Sequence, residues 1–197
     1  ADLGVSAMQH DSAARGFHYK QAGPLDVRMD PAAAETAARL LARSSERDVA
    51  ALLEENADEP HAAVIARLIA RQPIDTTHAL ERVVRTGLHA VCPDLSKRDV
   101  KMSVRRTFQA VRIAVNGEMA ALDGLLRVLP ECLAPGGRAA IITFHSGEDR
   151  RVKKAFQAGH RGGVYAAIAE RPARSSMDES RANRRSRAAK LRWAVRA

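Results

Sequence analysis

At 197 residues with 46% apolar content, the chain is long enough to bury a core, and with 4% aromatics that core must be built from Ala, Leu, Val and Ile. No apolar run approaches the roughly 20 residues needed to span a bilayer, and no signal-peptide pattern opens the chain. The net charge of +9 is local: residues 138–197 carry 15 Lys/Arg against 5 Asp/Glu (net +10), while residues 1–137 carry 17 against 18 (net −1), a pattern that fits a polyanion partner and a solvated basic tail equally well.

The chain begins Ala1-Asp2-Leu3-Gly4, without Met, as a piece cut from a longer protein or a processed terminus would. Residues 1–30 read as loop, punctuated by Gly4, Gly16, Gly23 and Pro24. Four helices are expected over 31–90. Asp30 caps the first, with Pro31 in its opening turn, where a missing N–H costs nothing. Ser45 caps the second, Pro60 starts the third and Asp75 or Thr76 caps the fourth. Their stripes include Leu40 and Leu41, Leu52 and Leu53, Ile65 and Ile69, and Leu80 and Val84. Pro93 makes 91–104 a loop. One long helix then carries Phe108, Val111, Val115, Met119, Leu122, Leu126 and Leu129 at steps of three and four, ending at Pro130. Leu133-Ala134-Pro135-Gly136-Gly137 turns into a strand over 138–144, apolar enough for burial on both faces. A helix over 148–157, irregular chain over 158–186 and a strand over 190–195 complete the reading. Cys92 and Cys132 lack metal or redox spacing, which fits a reduced, cytoplasmic chain without a metal.

Two segments carry chemistry. If Asp2 ends a strand, its carboxylate stands where open α/β sheets bind ligands, and Gly4 lets a ligand approach the backbone. The basic end, Arg181 to Arg196, includes Arg184, Arg185, Arg187, Lys190 and Arg192, side chains suited to phosphate. His145 follows a strand, but such a histidine is more often a hydrogen-bonded structural residue than a base.

Taken in order, several blocks resemble one family, the bacterial 16S rRNA cytosine-N4 methyltransferases RsmH/MraW. The blocks are Asp2-Leu3-Gly4-Val5-Ser6 with Gln9; Arg15-Gly16-Phe17; Gly23-Pro24-Leu25-Asp26 with Arg28-Met29-Asp30; Arg106-Thr107-Phe108-Gln109-Ala110 with Arg112-Ile113-Ala114-Val115-Asn116; Leu133 to Arg138; Phe144-His145-Ser146 with Glu148-Asp149-Arg150; and Ser186 to Arg192. They cover nearly the whole chain. This sequence departs from the family at Ala7, His10, Gly117, Gly147 and Arg184, where Ser, Leu, Asp, Leu and Pro are usual.

The resemblance implies an α/β fold: a partial class I (Rossmann-like) methyltransferase sheet with an inserted all-helical, substrate-binding subdomain. Residues 1–30 and 105–197 would belong to the methyltransferase domain, and 31–104 to the insert. It implies methylation of a cytosine N4 amine in the decoding region of 16S rRNA on the small ribosomal subunit, with S-adenosyl-L-methionine as cofactor. Asp2 and Gln9 carry over as cofactor contacts. The family's other contacts, a Gly-Gly-His loop, an acidic residue for the ribose and an aromatic near the adenine, lie upstream of residue 1. On that ground the chain alone should bind the cofactor weakly or not at all. The catalytic group is unassigned, with Asp2 and Ser6 as candidate acceptors for the amine. Arg105, Arg106 and Arg112 join the basic end as expected RNA contacts. A non-catalytic RNA-binding fragment and an inactive remnant remain alternatives, and the oligomeric state is open.

Overall fold

Short polar side chains decide where the helices of residues 5–117 begin. The computed structural model describes residues 1–197, and residues 5–117 form one of its two compact units. Its helices are α1 (Ala7–Asp11), α2 (Ala37–Arg43), α3 (Glu46–Ala57), α4 (Ala62–Ile69), α5 (Thr77–Val91) and α6 (Lys97–Asn116). Ser6, Thr36, Ser45, Thr76 and Ser96 cap five of them, each accepting the N–H three residues on, a donor that no helical carbonyl can reach. Helix α3 packs on α4 and α6, and α5 packs on the same two. Leu53, Ile65, Leu80 and Leu88 are fully buried between them, each contributing about 1.5–3 kcal/mol through removal from water.

The loop before α2 belongs to this unit. Leu25 N–H donates to Asp75 O at 2.8 Å, Thr77 N–H to Gly23 O at 3.0 Å, and the Thr77 hydroxyl to Gln21 O at 2.6 Å. The carbonyls of Asp26 and Leu25 accept from Ala37 and Ala38, answering open donors at the start of α2. The two compact units part at Gly4–Val5 and Gly117–Glu118.

Three expectations for this region are corrected. The first of the four helices expected over 31–90 starts at Ala37, not after Asp30: Asp30 Oδ1 accepts from Ala32 N–H in a turn, and Arg28 holds the carbonyls of Pro31 and Ala33. Residues 97–104, expected as loop, open α6, because Ser96 and Asp99 provide a cap that overrides Pro93 four residues upstream of Lys97. The long apolar stripe is two helices, not one. Gly117 has φ of +58°, a left-handed conformation that ends α6 and costs a side-chain-bearing residue far more than glycine.

Residues 1–4 and 118–197 form the second unit. It contains α7 (Glu118–Val128), β1 (Arg138–Thr143), α8 (Ser146–Arg161), β2 (Tyr165–Ile168), β3 (Ala173–Arg174), α9 (Met177–Ala182) and β4 (Lys190–Arg196). The sheet order is β1-β4-β2, with β4 antiparallel to both neighbours and β3 pairing with the start of β4. Ala140 faces Trp193 and Ile142 faces Leu191 across β1 and β4. Residues 138–144 and 190–195 thus share one sheet, as expected. Along the free edge of β1, Asp2 forms a parallel bridge to Ile142: Leu3 N–H donates to Ile142 O at 3.2 Å, and Ile142 N–H to Ala1 O at 2.9 Å.

Leu122, Ala139, Ile141, Val152, Phe156, Tyr165 and Ala194 make this unit's core on one face of the sheet. Strand β1 alternates accordingly, with Ala139, Ile141 and Thr143 buried and Ala140 exposed. The expectation of burial on both faces is corrected, since α7 and α8 supply partners on one side and Trp193 on the other remains 40% exposed. Residues 158–186, expected as irregular, contain the end of α8, β2, β3 and α9. The structure is a mixed α/β fold with a small, largely antiparallel sheet, and no helix is long and apolar enough to cross a membrane.

Candidate functional site

Asp2 sits beside Ile142, near the carboxyl end of β1, and its segment runs parallel to that strand. The carboxyl ends of parallel strands are where α/β sheets present ligand-binding loops. The Asp2 side chain is exposed and makes no hydrogen bond or ion pair within the chain, so both carboxylate oxygens are available. Gly4 follows with φ of +88°, turning the chain sharply away from the strand, and a Cβ there would meet only Phe144 at 3.9 Å. Its conformation, rather than crowding, calls for glycine.

Ser6 and Gln9 lie in the helical unit, and both are engaged. Ser6 Oγ accepts from Gln9 N–H at 3.3 Å, and Gln9 Oε1 accepts from Ser6 N–H at 3.2 Å, a reciprocal capping box on α1. Gln9 Nε2 donates its other contact to Met29 O at 3.4 Å. One amide hydrogen of Gln9 and the Ser6 hydroxyl hydrogen remain for a ligand.

That same Met29 carbonyl belongs to a loop held by several side chains. Val27 has φ of +55°, rare and strained for a β-branched residue. Asn116, at the end of α6, spans the strained residue: its Nδ2 donates to Val27 O at 2.8 Å, and its Oδ1 accepts from Met29 N–H at 2.6 Å. Arg15 Nη2 donates to the carbonyls of Arg28 and Met29 at 2.7 and 2.9 Å. Arg28 in turn pairs with Asp26, Nε to Oδ1 at 2.7 Å, and hydrogen bonds from Arg28 hold the Asp26 carboxyl below the usual aspartate range. The structure so joins four of the sequence blocks, those containing Gln9, Arg15, Arg28 and Asn116. The sequence reading gave Asn116 no role. A polar residue at the end of an apolar helix was its signal, but only the fold shows what it grips.

The expected RNA contacts divide. Arg184, Arg185 and Arg187 are exposed on a short 3-10 turn over 184–188, anchored by the buried Ser186 whose hydroxyl donates to Asn183 O at 2.8 Å. Arg187 Nε also donates to Ser180 O at 3.1 Å. Arg105 is exposed on α6 and Arg112 is half-buried. Arg106 lies 3.9 Å from Oε2 of Glu59, a buried carboxylate whose Oε1 accepts from the Ser103 hydroxyl and His61 N–H. Part of its charge is therefore answered internally.

Arg192 and Lys190, the other two expected contacts in the basic end, meet a carboxylate of this chain. The Arg192 side chain is 6% exposed, and its Nε lies 2.7 Å from Asp149 Oδ1, while Lys190 Nζ lies 3.2 Å from Asp149 Oδ2. Position 192 points to the covered face of β4, where α8 supplies the carboxylate. Burial alone would raise the Asp149 carboxyl, but the hydrogen bonds from Arg192 and Lys190 outweigh it and hold it below the ordinary aspartate value. A sequence count of positive charges could not separate these inward cations from outward ones.

His145 is engaged at the start of α8. Its Nδ1 accepts from Glu148 N–H at 3.4 Å as the cap of α8, and its Nε2 lies 3.1 Å from Glu148 Oε1 without the alignment of a full hydrogen bond. Glu148 Oε2 accepts from Phe144 N–H at 2.8 Å and His145 N–H at 3.3 Å. Burial pushes the Glu148 carboxyl up, and His145 with these amides brings it below its usual range.

The sequence matches the MraW methylase family over residues 1–197. Among curated proteins it is similar to ribosomal RNA small subunit methyltransferase H 2 of Alkaliphilus metalliredigens, 46% identical over 100% of this chain and 58% of that protein. The ribosomal RNA small subunit methyltransferase H of Acidobacterium capsulatum is 41% identical over 98% of this chain and 64% of its own length. That of Methylococcus capsulatus is 42% identical over 98% of this chain and 67% of its own length. The chain thus spans about three fifths of the first of these relatives.

Proposed function

The chain belongs to the MraW methylase family, and we propose that it acts within a cytoplasmic, S-adenosylmethionine-dependent enzyme that methylates the N4 amine of a cytosine in the decoding region of 16S rRNA, on the small ribosomal subunit. The match over residues 1–197 carries this reading. The sheet supports it: a parallel bridge beside β1 and an antiparallel β4 beyond it suit one side of a Rossmann-like sheet, since largely parallel sheets commonly carry an antiparallel strand near an edge. Residues 31–104 then serve as the substrate-binding insert.

The residues present fit the cofactor in part. Asp2 offers an uncommitted, exposed carboxylate near the carboxyl end of β1, and Gln9 offers one amide hydrogen beyond its contacts to Ser6 and Met29. When bound, S-adenosylmethionine supplies an electrophilic methyl group on a positively charged sulfur.

What the chain must add is orientation and a hydrogen-bond acceptor. The exocyclic amine of cytosine is a poor nucleophile because its lone pair is delocalised into the ring. An acceptor holding one N–H aims the amine and stabilises the positive charge that develops on nitrogen during attack. Ser6 Oγ already accepts from Gln9 N–H, so Asp2 is the stronger of the two candidates. Arg184, Arg185 and Arg187, with Arg105 and Arg112, position the RNA through phosphate without reading its sequence. Arg106 contributes less, being shared with Glu59.

The test is nucleoside mass spectrometry of 16S rRNA from cells lacking the gene for this chain. N4-methylated cytidine should be lost, then restored by the wild-type gene and not by an Asp2→Ala copy. An unchanged N4-methylcytidine level in the deletion strain overturns the proposal.

A further inference from the structure

Residues 1–137 carry a net charge of −1, so a cluster of cations in the helical unit is not the by-product of a generally basic surface. Such a cluster exists. A cleft of about 540 Å³ is lined by Tyr19, Lys20, Glu81, Arg82, Arg85 and Lys101, brought together by the loop before α2 and by α5 and α6. Four cations face one carboxylate. Glu81 is paired with Arg85 one helical turn on, and Lys20, Arg82 and Lys101 are exposed, with no ion pair in the chain. Unbalanced like charges around one cleft repel each other, and an anion relieves that repulsion.

Tyr19 brings an aromatic ring to the cleft, and other rings pack behind it. His18 stacks on Tyr19 with centroids 5.5 Å apart and planes 14° from parallel, and His10 meets His18 edge-on at 4.8 Å. Phe108 backs Tyr19 at 5.8 Å. The Tyr19 hydroxyl is buried and has no hydrogen-bond partner. Burial, reinforced by His10, Lys20 and Arg105, pushes the His18 imidazole below its ordinary pKa, which keeps the ring neutral near pH 7.

We propose that this cleft is a binding site for single-stranded RNA, its cations taking phosphates and its Tyr19 ring, supported by His18, taking a base. Cations that follow the backbone beside rings that stack bases are the means by which proteins hold single strands. Duplex RNA buries its base faces and could use the cations only. S-adenosylmethionine carries a cationic sulfur, which this cleft repels. The inference rests on the RNA-directed function proposed above and places a second contact region away from the basic C-terminal segment.

The test measures the affinity of the full chain for a fluorescein-labelled, unstructured 12-nucleotide RNA at several salt concentrations. Three proteins are compared: wild type, Lys20→Ala/Arg82→Ala/Lys101→Ala, and Arg47→Ala/Arg67→Ala/Arg71→Ala, which removes the same charge from exposed positions on and beyond α3 and α4. Circular dichroism melting confirms that each is folded. The cleft variant should bind at least tenfold more weakly, with a log–log salt slope reduced by about 2, since each single-stranded phosphate contact contributes about 0.7. The control variant should stay within threefold of wild type. A His18→Ala variant should weaken binding to the RNA while leaving binding of a polyphosphate chain unchanged. Equal losses in both triple variants overturn the cleft in favour of a diffuse charge effect. Loss on mutating Arg184, Arg185 and Arg187 but not the cleft overturns the cleft and leaves the RNA reading intact. No RNA binding by wild type overturns both. Inorganic phosphate binding in calorimetry as tightly as the RNA would reassign the site to a small anion.

Discussion

Replacing Asn116 by Ala tests whether the strained loop at Val27 is held by one side chain. The wild-type amide donates to Val27 O at 2.8 Å and accepts from Met29 N–H at 2.6 Å. Its third contact, to Arg112 O at 2.8 Å, involves a carbonyl already placed in the α6 ladder, so its loss costs little. Leaving the Val27 carbonyl and Met29 amide without partners costs about 1–3 kcal/mol each when they are buried. Both contacts are only partly buried, and water can answer some of that demand, which puts the expected loss at about 2–3 kcal/mol. Relief of the strain at Val27, φ of +55°, offsets part of that loss, because the freed loop can relax to an ordinary conformation, and it then ceases to present Met29 O to Gln9 and Arg15. Urea denaturation followed by circular dichroism gives the stability change, and amide hydrogen exchange at Met29 shows where it acts. The exchange rate at Met29 should rise far more than at Val104, deep in α6. A stability loss under about 0.5 kcal/mol, or a Met29 rate unchanged, refutes the clamp.

Arg192→Met should destabilise the sheet unit by up to about 3 kcal/mol, because it removes the nearer of two partners from a largely buried Asp149 carboxylate and leaves Lys190 alone to answer it; thermal melting that leaves Tm unchanged would show the pair to be dispensable. Asp149 also sets an acid-side slope. Its folded pKa is lowered, so its stabilisation is full above the ordinary aspartate value near 3.9 and is lost as pH falls through the lowered folded value. Asp149→Asn should flatten the pH dependence of the denaturation midpoint across that window, and a wild-type-like slope contradicts the assignment. Arg184→Ala/Arg185→Ala/Arg187→Ala should weaken binding to all single-stranded RNAs alike and reduce the log–log salt slope by about 2; equal slopes before and after would make these arginines a solvated surface.

Much of the helical unit was legible because its information is local. Ser45 and Thr76 announce their helices by a cap followed by periodic Leu, Ile and Val, and the structure starts helices directly after both. Local rules misled where a stronger local signal competed. Pro31 suggested a helix start, yet Asp30 closes a turn and Thr36 caps the helix. Gly117 stood visible as a helix-weakening residue, but its left-handed conformation, which cuts the stripe in two, depends on the path of the chain after α6. The pairing of β4 between β1 and β2, and the stitching of residues 21–25 to Asp75 and Thr77, rest on long-range backbone hydrogen bonds that leave no period in the sequence. At the candidate site the residue types Asp2 and Gln9 were legible, but the engagement of Gln9 in a capping box was not weighed, although Ser6 and Gln9 stand at its spacing. For Lys190 and Arg192, alternation along a strand could have shown that the two share one face, but not that Asp149 waits on it.

The most direct test of the central proposal is methyl transfer itself. The longest protein encoded by the gene for this chain is incubated with S-adenosylmethionine carrying a tritiated methyl group and with purified small ribosomal subunits, and the RNA is digested to nucleosides. The expected result is label in N4-methylated cytidine, at least tenfold lower with Asp2→Ala and absent without enzyme. RNA that remains unlabelled, or that is labelled at another position or equally well by the Asp2→Ala protein, contradicts the assignment of this chain and of Asp2 to that reaction.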